Sequence, residues 1–335
     1  MLRNITLIFI SFLMFSCSQI QESKYIENTG RAQGTTYQVK YESPEGKDFG
    51  DDIEAIFKRI DLSMSTYVPT SLISTVNQGD TLVQVDSMFM NVLNRSLEIA
   101  EETNGDFDPT IGPLVSLWGF GFEEIRQDVS PEMVNETIEQ TGYKHIEIKG
   151  DSVKIPEGFQ IDFNAIAQGY TVDYIADYFE SYEVENYMVE VGGEVRAKGV
   201  NGTDDIWKIG VDKPSEEIDT EGRFQFILEL KDKSLATSGS YRKFWVDEET
   251  GARYSHTIDP HTGYPAKNNL LSASIITDSA IDADAYATVC MVKGVDACID
   301  FLNTKDDLEG YLVYDDGSGN WETYITEGFE QYIVN

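Results

Sequence analysis

The loop "SHTIDPHTGYP", from Ser255 to Pro265, contains two of the three histidines in the chain, His256 and His261. Proline and glycine separate this loop from regular elements on either side. A neutral imidazole is well suited to accept a proton near pH 7. The loop is therefore either a rigid corner with incidental histidines or part of a reaction site.

A second stretch with chemical potential is "TDSAIDADAYATVC", in which Asp284 and Thr288 are four residues apart. At the start of a helix, this spacing places both side chains on one face. A carboxylate and a hydroxyl, with nearby carbonyls, form the kind of hard oxygen set that suits Mg²⁺. Asp282 points elsewhere and is interpreted as a helix cap. On spacing alone, a capping role stays open for Asp284 too.

Three further stretches are candidates for ligand binding. "NGDFDPTIGPLVSLWGFG", from Asn104 to Gly121, lacks periodicity and indicates an ordered loop rather than an element. Asp162 lies just before a helix, where backbone N–H groups can bind phosphate, although a simple cap is favoured by sequence alone. Gly192 and Gly193 end a strand and allow a close backbone approach. The sequence has no GxGxxG or Walker motif, so the common nucleotide-binding folds are not indicated.

The elements that must position these residues follow from hydrophobic periodicity. Helical spacing occurs in "DDIEAIFKRIDLSMS", "DSMFMNVLNRSLEIAEETNG" (with Gly105 as its cap), "SPEMVNETIEQTG", "NAIAQGYTVDYIADYFESY", "DADAYATVCMVKG" and "DACIDFLN". Strand patterns occur in "GTTYQVKY", "NYMVEVGG", "WKIGVD", "FQFILEL", "KSLATSG" and "SASIIT", and "YKHIEIKGDSVKI" predicts a hairpin in which His145 is structural. Interleaved elements with adjacent hairpins predict an α+β fold with antiparallel sheets.

The composition narrows the range of ligands. The chain has 335 residues, of which 41% are hydrophobic, so a substantial core is expected. Its 59 acidic and 25 basic residues give a net charge of -34, which argues against nucleic acid and anionic membrane surfaces as direct ligands. A phosphate-bearing ligand would need a metal ion, backbone N–H groups or a few well-placed cations.

The amino terminus predicts export. "MLRNITLIFISFLMFSC" has one basic residue, a short apolar run and then Cys17, which is the layout of a signal peptide. We expect a lipoprotein signal over residues 1–16, with cleavage before Cys17 and lipid on its sulfur; an ordinary signal peptide cut nearby is the alternative. Residues 17–29 are expected to be a polar tether. The protein would then be extracytoplasmic and anchored to a bacterial membrane, inner or outer, facing the periplasm.

The other two cysteines, Cys290 and Cys298, are eight residues apart in apolar helical patterns. Pairing would depend on the fold, and buried free thiols are the favoured interpretation. The sequence contains no CxxC or other zinc-binding spacing.

Taken in order, eight stretches resemble the ApbE family of FAD:protein FMN transferases over about Gly34 to Gly294. They are "GTTY", "STYVPTSLISTVN", "GDFDPTIGPLVSLWGFG", "IDFNAIAQGYTVD", "VGGEVRAKG", "ATSGSYRKF", "HTIDPHTGYP" and "ADAYATVCMVKG". The resemblance implies an α+β fold of mixed or antiparallel sheets with packed helices, related to the T-fold, with the active site in a cleft. Residues 30–335 would form a single domain, with two subdomains as an alternative.

The resemblance also implies roles for individual residues. His256 matches the proposed catalytic base. The positions expected to contact FAD are Gln33, Tyr67, Asp106, Phe107, Asp108, Asp162, Gln168 and Ile258. The positions expected to hold Mg²⁺ are Ala165 and Ala287 through their carbonyls, and Asp284 and Thr288 through their side chains. Gln33 replaces the usual Met, Asp106 stands where many members have Ala or Asn, and Gln168 stands where many have Lys or Glu. His261 is expected to have a surface role, as support for the turn.

The implied reaction is Mg²⁺-dependent transfer of FMN from FAD to a Thr or Ser hydroxyl of an acceptor protein, with release of AMP. Acceptors in the family are usually FMN-binding subunits of membrane redox pumps or extracytoplasmic flavoproteins. Two alternatives stay open. One is a pyrophosphatase that hydrolyses FAD to FMN and AMP, and the other is a flavin-binding lipoprotein without turnover.

Overall fold

The computed structural model describes residues 24–44, 46–120, 128–213, 224–240, 244–246 and 253–334. Within them, the helices are α1 (Gly50–Met64), α2 (Leu72–Val76), α3 (Ser87–Glu102), α4 (Gly112–Trp118), α5 (Pro131–Ile138), α6 (Ala167–Ser181), α7 (Ala280–Lys293), α8 (Val295–Leu302) and α9 (Glu327–Glu330). The predicted signal peptide, Cys17 and the first part of the tether lie outside the described residues.

The strands are β1 (Lys24–Ala32), β2 (Thr35–Ser43), β3 (Val83–Gln84), β4 (Glu147–Lys149), β5 (Ser152–Lys154), β6 (Tyr187–Val191), β7 (Glu194–Lys198), β8 (Trp207–Asp212), β9 (Phe224–Leu230), β10 (Lys233–Gly239), β11 (Phe244–Val246), β12 (Arg253–Ser255), β13 (Leu270–Thr277), β14 (Glu309–Asp315), β15 (Trp321–Ile325) and β16 (Ile333–Val334). β1 includes residues 24–29, which the sequence assigned to the tether. Their pairing with β2 corrects that boundary, because a polar edge strand lacks the hydrophobic pattern of a buried one.

The main sheet has eight strands in the order β1-β2-β6-β7-β10-β13-β14-β15, and each neighbouring pair is antiparallel. Smaller sheets have the orders β16-β9-β8, β3-β5-β4 and β11-β12. The α+β prediction with antiparallel sheets is therefore confirmed.

Both faces of the main sheet are buried, because its strands alternate between two hydrophobic clusters. Val189 and Ile275 belong to the cluster formed with α6 and α7, whereas Met188 and Ile276 belong to the cluster with β8 and β9. This two-residue alternation is the normal consequence of strand geometry. Helices α6 and α7 thus pack on one face of the main sheet, where the larger hydrophobic cluster fixes their positions.

The predicted loop from Asn104 to Gly121 contains a short helix, α4, so the prediction of a loop without elements is wrong there. Pro113 stands in the first turn of α4, and Gly119 ends it in the left-handed conformation (φ 74°). A helix of seven residues is too short to show clear periodicity. The C-cap of α3 is Thr103 rather than the predicted Gly105, although the Gly105 N–H does donate to the Ala100 carbonyl of the last turn at 2.8 Å.

The start of α7 is capped by a residue of another helix, which corrects the prediction for Asp282. The Asp173 carboxylate of α6 accepts hydrogen bonds from the N–H groups of Ala280 (3.0 Å) and Ile281 (2.8 Å). Asp282 instead pairs with Arg95 Nε at 2.6 Å. The capping group comes from 107 residues away in sequence, so a local cap rule cannot find it.

Cys290 and Cys298 form a disulfide, so the prediction of free thiols is wrong. α7 ends at Lys293, Gly294 turns with φ 73°, and α8 begins at once. This tight turn brings the two Cα atoms to 4.9 Å. The pairing follows from the helix–turn–helix geometry, which cysteine spacing alone does not reveal.

His145 lies in a 3₁₀ turn (Tyr143–His145) before β4 rather than in a strand, and its ring contacts Phe159 with 5.1 Å between centroids.

Across the part of the chain that the structure describes, no helix has the length and apolar character needed to cross a membrane.

We predict that Asp173→Ala destabilises the protein by about 3 kcal/mol, because the change leaves two helix N–H groups and Arg196 without a buried partner. Asp177 is a matched control: it is on the same helix and also contacts Arg196, at 3.3 Å, but its side chain is 69% exposed. Asp177→Ala should cost about 0–1 kcal/mol. Urea unfolding of both variants checks this, and equal losses would contradict the capping role.

Candidate active site

The site is organised by a close contact between the start of α6 and the start of α7, at Gly169 and Asp284. We call this contact the junction. The Gly169 N–H donates to Asp284 Oδ2 at 3.0 Å, and the Asp284 residue is only 6% exposed. A Cβ at position 169 would lie 2.2 Å from the Ala280 carbonyl oxygen and 2.8 Å from the Cβ of Asp284. Only glycine permits this approach, which sets the Asp284 carboxylate against the start of α6.

The predicted pairing of Asp284 with Thr288 is confirmed as one helical face of α7. Thr288 Oγ1 lies 3.3 Å from Ser238 Oγ of β10, on the side of α7 that packs on the main sheet. Ala287 is fully buried within the same helix. Ala165 lies two residues before α6 begins, in the segment that leads to Gly169. These four predicted metal-site positions therefore lie on the two segments that meet at the junction.

Sequence reasoning missed Glu194, the first residue of β7, whose side chain is buried beside this junction. Glu194 is 8% exposed, and its Oε2 atom has no hydrogen-bond partner within the described residues. A Cβ at Gly192 would lie 3.1 Å from this atom and 2.8 Å from Gln168 Nε2, so the two side chains converge there. The one signal in the sequence is an acidic residue directly after the Gly-Gly pair.

Both buried carboxyls have a raised pKa. Burial raises the pKa of Asp284 to about 7, although the Gly169 hydrogen bond opposes this. Burial also raises the pKa of Glu194 well above its ordinary value, and the Asp284 carboxylate raises it further. A bound cation would relieve both effects, since buried charges in proteins are normally paired or coordinate metals.

The residues present fit a Mg²⁺ ion. Asp284 and Thr288 supply a carboxylate and a hydroxyl, Ala165 and Ala287 have backbone carbonyls, and Glu194 has an orphaned buried oxygen. Hard oxygen ligands of this kind are those that Mg²⁺ prefers. In the described ranges, no group of three or more His, Cys, Asp or Glu is placed to hold a metal ion. A metal here therefore depends on neutral oxygens as well as on carboxylates.

The loop after α3 forms a second part of the site. Asp106 contacts Lys293 Nζ, at the end of α7, and lies 3.0 Å from His261 Nε2. Phe107 is buried in the main core. Asp108 Oδ1 accepts from the N–H (2.8 Å) and hydroxyl (2.6 Å) of Thr110, so its carboxylate serves to fix the loop. Burial raises the pKa of Asp108, and these donors oppose the shift.

Asp162 lies against this loop, because its N–H donates to the Pro109 carbonyl at 2.8 Å. Its carboxylate accepts from the Asn164 N–H at 2.7 Å and from the Asn164 amide at 3.1 Å. The N-cap position of α6 is Ile166, which makes no side-chain capping bond. Asp162 therefore closes a turn before the helix, and the interpretation as a cap of α6 is wrong.

The predicted rigid turn after His256 is confirmed. The Ile258 segment pairs with Pro265, the Asp259 N–H donates to the Tyr264 carbonyl at 2.9 Å, and the Asp259 carboxylate accepts from the His261 N–H at 2.9 Å. His256 is exposed at the start of this turn, directly after β12. Its imidazole is thus accessible to a second molecule.

His261 does more than the expected surface role. Its side chain is 52% exposed, yet its Nε2 atom reaches Asp106 and so joins the His256 turn to the loop after α3. Since Asp106 also contacts Lys293, the turn is linked to α7. Sequence reasoning missed Lys293, because a lysine in the last turn of a helix is common in any protein.

The remaining predicted FAD contacts are less tightly grouped. Gln33 has a left-handed backbone (φ 50°) and donates from Nε2 to Thr171 Oγ1 of α6 at 2.8 Å, one turn beyond Gln168. Tyr67 lies between α1 and α2 and is 59% exposed. Asn77, at the end of α2, exchanges two hydrogen bonds with the backbone of Ile161, at 2.8 and 2.9 Å. The segment that carries Tyr67 is thereby tied to Ile161, next to Asp162.

The pKa shift of Asp284 predicts a pH effect on stability in EDTA. In the unfolded chain this carboxyl ionises near pH 4, whereas in the folded protein it retains its proton up to about pH 7, so wild type loses stability over this range. Asp284→Asn should avoid this loss and gain roughly a few kcal/mol relative to wild type as pH rises. Urea unfolding at both ends of the range measures it. The matched control Asp282→Asn should show no gain, and the same pH profile for Asp284→Asn and wild type would contradict the shift.

Comparison with known proteins places this arrangement in a family. The profile described as the ApbE family matches residues 33–312. A protein of Vibrio cholerae named FAD:protein FMN transferase is 38% identical over 304 residues, which are 88% of this chain and 88% of that protein. A Haemophilus influenzae protein of the same name is 34% identical over 308 residues, covering 88% of this chain and 87% of the relative.

Solved structures of flavin transferases have a fold similar to that of this chain. The flavin transferase ApbE from Vibrio cholerae has a TM-score of 0.82 and 34% identity, covering 93% of this chain and 100% of that one. The apo form of Pseudomonas stutzeri flavinyl transferase ApbE has a TM-score of 0.83 and 30% identity, covering 92% and 97%. The resemblance seen in the sequence is therefore confirmed, and the chain belongs to the ApbE family.

Proposed function

We propose that this protein transfers FMN from FAD to a Thr or Ser hydroxyl of an acceptor protein and releases AMP. The observation that carries the proposal is the pair of buried carboxyls, Asp284 and Glu194, at the junction of α6 and α7, with the half-buried Thr288 one turn along α7. The relatives of this chain are named FAD:protein FMN transferases. The buried carboxyls and this hydroxyl suit a metal bound to a pyrophosphate, whereas a protein that only carried flavin would not need them.

We assign Mg²⁺ to Asp284 and Thr288, with the carbonyls of Ala165 and Ala287. When bound, the ion neutralises negative charge on the FAD pyrophosphate during phosphoryl transfer. Two described cations on the elements of this site are already paired, Arg196 with Asp173 and Lys293 with Asp106. A net charge of -34 makes such local compensation necessary.

We assign the role of general base to His256. In its neutral form the imidazole accepts the proton of the acceptor hydroxyl as that oxygen attacks the phosphorus on the FMN side. A new phosphoester P–O bond forms, the bond from this phosphorus to the bridging oxygen breaks, and the bridging oxygen leaves with AMP. The exposed position of His256 suits this role, since the hydroxyl arrives on a separate protein.

We place FAD on segments that are linked to these two groups. Asp106, Phe107, Asp108, Asp162 and Ile258 lie on three segments joined by the Asp162–Pro109 and Asp106–His261 contacts. Asp106 connects the His256 turn with α7, because it contacts both His261 of that turn and Lys293 of α7. Gln33, Tyr67 and Gln168 complete the proposed FAD site. A binding surface built from segments held together in this way can orient FAD between the metal and the base.

We further propose that the mature protein begins at a lipidated Cys17 and works outside the cytoplasm, where it modifies extracytoplasmic flavoproteins or FMN-binding subunits of redox pumps. The apolar run that ends at Cys17 supports this assignment. Growth with radiolabelled palmitate tests it: wild type should incorporate label and Cys17→Ala should not.

We predict that His256→Ala lowers the rate of transfer about 10²–10⁴-fold and leaves the affinity for FAD within about twofold of wild type. The measurement is flavin fluorescence of an acceptor domain on a denaturing gel, after incubation with FAD and Mg²⁺. His145→Ala is the control, because His145 is remote in sequence and packs only against Phe159 among described aromatic rings. Unchanged transfer by His256→Ala would remove this residue from the base role.

The same assay separates transfer from hydrolysis. Wild type should give a fluorescent acceptor band that requires the acceptor's Thr or Ser. Release of free FMN and AMP, without any labelled band, would show that water is the nucleophile and that the protein is a pyrophosphatase. FAD that stays intact with Mg²⁺ and acceptor present would indicate a flavin carrier.

A further inference from the structure

We infer that Glu194 is a second acidic residue of the metal site, holding the cation together with Asp284. This inference rests on the proposed function, because it assumes that the junction of α6 and α7 binds a divalent cation. It adds a carboxylate that neither the sequence patterns nor the resemblance assigned.

The first support is the position of Glu194 in the sheet. Glu194 begins β7 directly after two glycines that both have positive φ, 68° at Gly192 and 113° at Gly193. These left-handed residues turn the chain tightly between β6 and β7. The turn brings the Glu194 carboxylate back over Gly192, where a Cβ would be 3.1 Å from Oε2. The side chain is thereby directed toward Gln168, at the start of α6.

A second observation is that Arg196, the cation of β7 nearest to Glu194 in sequence, is paired with other acids. Arg196 is two residues along the strand and on the same face as Glu194. Its guanidinium contacts three acids of α6, namely Asp173 (2.9 Å), Asp177 (3.3 Å) and Glu180 (3.4 Å). Arg196 therefore stabilises the helix and its cap on α7, and it is not available as the counterion of Glu194.

The third support is the orphaned oxygen itself. A carboxylate buried to 8% exposure needs a cation, and a carboxylic acid in the same place needs an acceptor for its proton. The described residues supply neither to Oε2. The Nε2 atom of Gln168 approaches the same point, since a Cβ at Gly192 would lie 2.8 Å from it. The neighbouring Gly169 N–H already donates to Asp284.

These observations favour a ligand over a structural role. Two acids buried at one junction repel each other and lose hydration, which is unfavourable unless a positive charge lies between or beside them. A divalent cation satisfies both carboxylates at once. The single negative charge of Asp284 would neutralise only one of the two positive charges of a divalent cation. The carboxylates of Asp284 and Glu194 together would neutralise both.

The test is a Mn²⁺ titration of the full-length protein in detergent, with free Mn²⁺ followed by electron paramagnetic resonance, for wild type, Glu194→Gln and Asp284→Asn. The exposed Glu185→Gln, which also removes one negative charge, is the control. We expect Glu194→Gln to weaken Mn²⁺ binding about 10–100-fold, as metal-site partners commonly do, and Glu185→Gln to bind as wild type. Asp284→Asn should lose binding.

Two contrary results are distinguishable. If Asp284→Asn loses Mn²⁺ while Glu194→Gln binds as tightly as wild type, the role of Glu194 is overturned and the metal site stands. If wild type binds no Mn²⁺, with or without FAD, the metal assignment falls as well.

Thermal unfolding separates a metal role from a structural one. In EDTA, Glu194→Gln should unfold at the same or a higher temperature than wild type, because an uncompensated buried acid is removed. Added Mg²⁺ should then raise the unfolding temperature of wild type more than that of the variant. A variant that is less stable in EDTA but keeps the full Mg²⁺-induced shift would show that Glu194 only supports the fold.

Discussion

The hydrogen bond from the Gly169 N–H to the Asp284 carboxylate is the contact on which the rest of the site depends. It requires two helices to approach so closely that position 169 has no room for a side chain. Asp173, one turn further along α6, caps the start of α7 and fixes the same approach from the other side. The Asp284 carboxylate that the proposed metal needs is thus held by a backbone N–H, whose position is set by the close packing of the two helices.

The junction also explains how distant segments act as one site. α7 carries Asp284 and Thr288 near its start and Lys293 at its end. Lys293 contacts Asp106, and Asp106 contacts His261 in the turn that follows His256. Any shift of α7 would therefore move both the proposed metal ligands and the support of the proposed base. The disulfide from Cys290 of α7 to Cys298 of α8 spans the turn that follows Lys293.

Sequence reasoning succeeded where function depends on local pattern. The helical spacing of Asp284 and Thr288, the rigid turn from Asp259 to Pro265 and the antiparallel α+β architecture all have short-range signals. It failed where the partner is remote. The cap of α7 is supplied from α6, the disulfide depends on a tight turn at Gly294, and Asp106 owes its position to Lys293, 187 residues away. Glu194 was missed because its burial follows from a glycine turn, while an acid at a strand start ordinarily predicts exposure.

We propose that FAD and a divalent cation meet at the junction of α6 and α7, beside the His256 turn. A crystal structure with FAD and Mn²⁺, in which anomalous scattering locates the ion, tests this arrangement. We expect one Mn²⁺ peak in contact with the Asp284 carboxylate and the FAD pyrophosphate, with the phosphorus on the FMN side facing the His256 turn. A Mn²⁺ peak away from Asp284, or FAD bound with its pyrophosphate remote from α7, would contradict it.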